Sequence, residues 1–185
     1  MPCPRRAANP TTAALIAAAL TLALPAGAAA HERTWHVGGS LGFAQLFGGP
    51  SAAGFGAGAH VAYGLNDMFN VMGALHVTAH PYARWVIVGG GVGAGWLVDT
   101  FEWVPYVGGL AGLAEIISVN PLCGASIAEP CQAMRVNLEV PFGLDYRFTR
   151  RFTAGVAGRL QLLLLGDVPW LTLGVFARAE VTFGK

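Results

Sequence analysis

Charge is what this chain has least of. Asp, Glu, Lys and Arg together make 11% of its 185 residues, where an ordinary soluble domain carries about 25%. Basic residues are too few for a nucleic-acid footprint, so no nucleic-acid partner is expected. Long apolar runs are missing as well. Beyond residue 30 no stretch reaches eighteen apolar residues, which excludes a helical membrane protein and leaves a membrane β-barrel open. Cysteine is scarce, with three in the chain.

The beginning of the chain has its own character. Arg5 and Arg6 precede the apolar run Ala13–Leu24, Pro25 breaks it, and Gly27-Ala28-Ala29-Ala30 supplies small residues. A basic start, a run of about 7–15 apolar residues and a small-residue end describe a secretory signal peptide. The expected division is a cleaved signal over 1–30 and one domain over 31–185. Cys3 leaves with the signal. Without Arg5 and Arg6, nine cations face ten acids, a formal charge of −1.

What the mature part has is alternation. In RVNLEVPFGLDYRF, Arg135–Phe148, apolar residues take every second position over the whole stretch, well beyond the about 5–6 residues of an ordinary strand. Seven further segments read the same way: 34–47, 54–65, 69–80, 84–98, 102–116, 151–166 and 170–183. The segment 102–116 is the hardest to phase, and Pro105 weakens it because proline cannot donate to a ladder. Short turns follow the second, fourth and sixth segments, and longer or Gly/Pro-rich connections follow the others. Alternating segments of about ten residues, with short turns at one end and longer loops at the other, mark a transmembrane barrel. The expected fold is all-β: an eight-stranded antiparallel up-and-down transmembrane β-barrel.

Energetics choose the oily face. A lipid-facing Arg near the bilayer midplane costs about 2–4 kcal/mol, so the apolar set must face outward. The lumen then receives His36, Ser40, His60, Asn70, His76, Arg135, Asn137, Glu139, Arg159, Gln161, Arg178 and Glu180, with glycines making room. A soluble barrel would invert this and present a glycine-rich, charge-poor exterior, which favours precipitation. Aromatics near the strand ends, among them Trp35, Tyr63, Trp85, Trp103, Tyr146, Phe148, Phe152 and Trp170, suit interfacial girdles.

The chain resembles the small outer-membrane barrels of the OmpA/OmpX type, with the OmpW-type barrel as a near alternative. The resemblance rests on the eight-strand rhythm and on PYVGGLAG (Pro105–Gly112) and PFGLDYRFTRRF (Pro141–Phe152). It implies the Gram-negative outer membrane, contact with outer-membrane lipid and lipopolysaccharide, insertion by the barrel-assembly machinery, and a monomer. Such chains often end on an aromatic residue; here Gly184 and Lys185 follow Phe183. No peptidoglycan-binding domain is expected, since the chain stops with its last strand.

Candidate sites are few. Counting back from the Thr149-Arg150 turn sets Glu139 opposite Arg159, brings Arg178 near Arg159, and lets Glu180 and Arg135 join. The plain reading is one internal ion-pair network satisfying buried charge; the sharper one is a gate or selectivity filter. Cys123 and Cys131 lie in the longest loop, where an oxidising compartment favours a disulfide. His76-Val77-Thr78-Ala79-His80 is the nearest approach to a nucleophile with a base, as in lipid A-modifying barrels, yet no acid partner is evident to orient it. His31, exposed by cleavage with Glu32 and His36 close by, would offer an amine and imidazole to Cu(II), but an N-terminal histidine alone is a weak signal for a metal site. The Gly89–Gly95 run lacks the residues of a phosphate loop. No enzyme, cofactor or metal is expected. The expected role is structural or surface-interacting, with the loops carrying any binding, and a narrow passive channel for small or hydrophobic solutes is the alternative.

Overall fold

The computed structural model describes residues 33–47, 51–98, 102–118, 132–164 and 169–184. The signal segment, His31, Glu32, Cys123 and Cys131 lie outside these residues, and so do the boundary at residue 30 and the disulfide. Eight strands follow in order: β1 (Trp35–Phe47), β2 (Ala52–Gly64), β3 (Phe69–His80), β4 (Trp85–Leu97), β5 (Trp103–Ser118), β6 (Gln132–Arg147), β7 (Phe152–Leu164) and β8 (Trp170–Phe183). Each pairs antiparallel with its neighbours, and β1 pairs with β8, so the sheet closes. Closure leaves no unpaired edge, the condition for a sheet to stand in hydrocarbon.

Alternation sets the two faces. Leu41, Phe43, Leu75 and Val92 are 68%, 76%, 71% and 70% exposed on the outside. Between such residues, Ala44, Met72, Asn137, Glu139 and Glu180 are buried inside. An exterior this apolar requires lipid around it. The phase of β5 is set by burial: Tyr106, Leu110, Ala114 and Ile116 point inward, and Trp103, Val107 and Leu113 outward. The β5–β6 register runs from Trp103↔Tyr146 to Ile117↔Gln132, with a break at Gly108, Gly109, Val140 and Pro141. Pro141 has no N–H to give there.

Two turns at one end are held by side chains. Asn66 Oδ1 accepts the N–H groups of Met68 and Phe69 at 2.9 and 2.8 Å. Thr149 Oγ1 accepts those of Arg151 and Phe152 at 3.2 and 3.1 Å. Both are side-chain mimics of a backbone turn. The second consumes three residues, 149–151, and this corrects the expected register. Glu139 stands opposite Gln161, and Arg159 opposite Pro141, two residues from the expected pairing but on the same face. At the other end, β3 and β4 are joined by only 81–84, with Arg84 at φ 54° closing the turn through its N–H to Pro81 O at 3.2 Å.

Candidate functional site

Among the described residues, the lumen is where the chain gathers charge away from water, and it is layered. Nearest the short turns, β1, β2 and β8 deliver His36, His60 and Glu180 to one point. His36 Nδ1 donates to Glu180 Oε1 at 2.8 Å, and His60 Nε2 to Glu180 Oε2 at 2.9 Å. Arg178 also donates to Glu180 Oε2. Its Nε lies 3.5 Å from Asp145 Oδ2 on β6, and its guanidinium sits 4.4 Å over the Tyr106 ring. Thr34 Oγ1 is 3.0 Å from His36 Nε2, so the outermost histidine is held from both ring nitrogens. Buried charges need pairing; Glu180 is fully engaged here, while Asp145 is held by the ion pair to Arg178 with its Oδ1 left without a hydrogen bond.

A second cluster lies deeper. Glu139 meets Arg159 Nε at 3.8 Å and His76 Nδ1 at 3.4 Å. Gln161 Nε2 stands 3.0 Å from His76 Nε2. The Arg159 guanidinium covers the Phe176 ring at 4.2 Å. Glycines make these positions possible. A Cβ on Gly89 would sit 2.7 Å from His76 Nε2, and one on Gly38 2.7 Å from His60 Nε2.

The five residues expected in one network therefore divide. Arg178 and Glu180 belong to the first cluster, Glu139 and Arg159 to the second. Arg135 joins neither ion pair; its guanidinium lies 5.8 Å from the centre of the Trp170 ring. Arg178 lies opposite Gly155, and Arg159 opposite Gly174, so the β7–β8 register holds the two arginines four residues apart along β8. Asp145 and Tyr106 were not in the expected lumen set. Asp145 was visible in the alternation of β6, whereas Tyr106 depended on the unphased β5.

The loop end of the lumen mixes apolar filling with buried polar groups such as His80 and Asn137. Leu46, Ile87, Ala114, Ile116 and Leu163 form a buried apolar cluster there, packed against Trp85 and Trp170. The two tryptophans meet edge to face at 5.6 Å. They belong to the interior, which corrects their expected place in a girdle. At the turn end the aromatics do lie on the outside: Trp35 meets Tyr63 tilted at 4.8 Å, and Trp103 meets Tyr146 edge to face at 5.0 Å.

The turn end is open. A vestibule there is walled by His36, Asn70, Asp145, Arg178 and Glu180, with Met72 and Val104 on the apolar side. Tyr106, Met72 and Arg178 separate it from a smaller central space bordered by Glu139, Arg159 and Phe176. His76, Thr78 and His80 all lie buried inside the barrel, with His80 Nδ1 donating to Ala52 O at 3.1 Å. Among the described residues, no group of three His, Cys, Asp or Glu side chains is placed to hold a metal ion.

No protein-family model matches the chain, and no curated protein matches its sequence. Among solved structures, Neisserial surface protein A is 17% identical with a TM-score of 0.66, covering 82% of this chain and all of that one. The N-terminal β-barrel domain of OprF from Pseudomonas aeruginosa is 18% identical with a TM-score of 0.55, over 82% of this chain and 98% of that one. The outer membrane protein OprG of the same organism is 10% identical with a TM-score of 0.55, over 84% and 98%. The chain has the fold of the small eight-stranded outer-membrane barrels, and the apolar exterior agrees with that setting.

Proposed function

We propose that this outer-membrane barrel does its work at its surface, with a lumen that is closed and serves to hold the wall together. One observation carries the reading: Leu46, Ile87, Ile116 and Leu163, at 0–1% exposure, fill the loop end of the barrel from four different strands. An eight-stranded interior is just wide enough to be filled by side chains, and apolar filling offers no path to an ion. The two ion-pair clusters beneath it pair buried charge across strands and fix strand register. Interaction with other cells, proteins or lipopolysaccharide then falls to the loops, including the segment between Cys123 and Cys131 closed by a disulfide. The protein acts as a monomer without enzymatic activity, inserted by the barrel-assembly machinery after loss of residues 1–30.

A second reading, a narrow channel, draws on the vestibule and the central space, which together carry an opening from the turn end to Arg159. Single-channel recording of the refolded chain from His31 onward in a planar bilayer separates the two. The closed-lumen reading expects insertion without conductance steps. Stable steps whose size changes in Arg159→Gln or Glu139→Gln would replace it with the channel reading.

A further inference from the structure

The β6–β7 turn presents a combination found at no other turn among the described residues. Arg150 and Arg151 stand exposed at its tip, between Phe148 and Phe152, themselves 60% and 40% exposed. The tip is fixed rather than loose. Phe148 and Thr149 both donate N–H groups to Phe152 O, at 3.1 and 3.2 Å, and Thr149 Oγ1 takes the N–H groups of Arg151 and Phe152. From this turn a chain of rings runs along the rim: Phe152 to Phe148 at 5.9 Å, Phe148 to Tyr146 at 4.9 Å, then Tyr146 to Trp103 at 5.0 Å.

Beneath those rings, on the wall that faces lipid, lies a shallow apolar groove bordered by Trp103, Leu144, Tyr146, Phe148, Ala154 and Val156. Small Ala154 between larger neighbours makes the depression. Because the groove opens on the apolar outer wall just inside the aromatic rim, an acyl chain is the occupant that suits it. The acid closest in the chain of contacts, Glu102, is engaged by the Tyr146 hydroxyl at 3.0 Å. Arg150 also borders the mouth of the vestibule, so a ligand held at this turn sits on the rim itself. The β2–β3 turn, across the barrel at the same end, carries Asp67 instead of arginine.

We infer that this turn and groove form a docking site for an anionic glycerophospholipid of the leaflet that meets the short turns. One acyl chain lies in the groove under the aromatic rings, and the phosphodiester oxygens accept hydrogen bonds from the Arg150 and Arg151 guanidinium groups. Arginine suits this role because its planar fork pairs two donors with two phosphate oxygens. A turn already fixed by Thr149 loses little freedom on binding. Each guanidinium close to an anionic lipid surface favours association by about fivefold. The site rests on the membrane-barrel reading of the fold and is independent of whether the lumen conducts.

The test uses the full mature chain refolded into phosphatidylcholine vesicles that hold a trace of spin-labelled phosphatidylglycerol or spin-labelled phosphatidylcholine. The fraction of each label immobilised at the barrel wall gives their relative association. The expected result is a several-fold preference for phosphatidylglycerol at low salt, reduced to equality in R150Q/R151Q and retained in R84Q at the opposite rim. Equality in the unaltered protein overturns the site. So does a preference that survives R150Q/R151Q, or one that R84Q abolishes equally, since that would be a response to net charge alone. The gel mobility of each sample before and after boiling reports folding. A chain that never gains the heat-sensitive mobility of a folded barrel overturns the membrane reading together with the site.

Discussion

Arg159 reaches Glu139 across a diagonal of the β6–β7 ladder, Nε to Oε1 3.8 Å, while its guanidinium lies over the Phe176 ring. Both side chains are buried, so neither can turn to water if the other is lost. Arg159→Ala is expected to cost about 3–5 kcal/mol by stranding the carboxylate. Urea unfolding of the refolded barrel measures this. An unchanged midpoint would mean that Glu139 finds its stabilisation elsewhere.

Glu180 is the hub of the other cluster, accepting from His36, His60 and Arg178. Glu180→Ala should therefore cost more than either histidine replacement: about 3–5 kcal/mol for a broken buried charge pair against about 1–3 kcal/mol for one lost partner. The three unfolding midpoints rank the variants. A histidine variant as damaging as Glu180→Ala would contradict the hub arrangement.

Phe176 fills the mid-lumen only because Gly42 and Gly174 lie beside it. A Cβ on Gly42 would stand 2.9 Å from Phe176 Cδ1 and closer still to the β8 backbone. Gly42→Val is expected to destabilise by about 1–3 kcal/mol through overpacking. Gly109, with nothing within 4 Å of its Cβ position, should accept Ala without loss. Equal effects from the two substitutions would contradict the packing assignment.

Arg84 holds φ 54° in the β3–β4 turn, a left-handed conformation that costs a side chain about 1–2 kcal/mol and glycine almost nothing. Arg84→Gly should stabilise the barrel by about 1 kcal/mol. A lower unfolding midpoint in that variant would show that the arginine side chain contributes more than its backbone costs.

Much of this architecture was legible in the sequence because polar residues fall on one face wherever they occur. From Arg135 to Arg147 every charged side chain lies on the alternation that turns inward, and β6 needed only that to be phased. The alternation loses its meaning where both faces are apolar. Val86-Ile87-Val88 and Leu162-Leu163-Leu164 carry no polar partner to mark the inside, so the apolar filling at the loop end, with Trp85 and Trp170 against it, could not be read. Register was the other weak point. Whether the β6–β7 turn closes on the pair 147–151 or one residue further on, at 148–152, depends on Thr149 accepting two backbone N–H groups, and that shift moves Arg159 from Glu139 to Pro141. In β5, Gly108-Gly109 and Pro105 blurred the phase, and Tyr106 was missed with it.

Neighbours Ser40 and Leu41 in β1 offer the most direct test of which face meets lipid, since Ser40 points inward and Leu41 is among the most exposed apolar residues. With Cys123 and Cys131 replaced by serine, a single cysteine at either position would carry a small fluorophore, and the barrel would be refolded into vesicles of lipid brominated along its acyl chains. Strong quenching at Leu41→Cys and weak quenching at Ser40→Cys is the predicted result. No quenching at either position would mean a soluble barrel with Leu41 turned inside, and quenching at Ser40→Cys alone would mean that the polar face meets lipid; either result contradicts the account at its foundation.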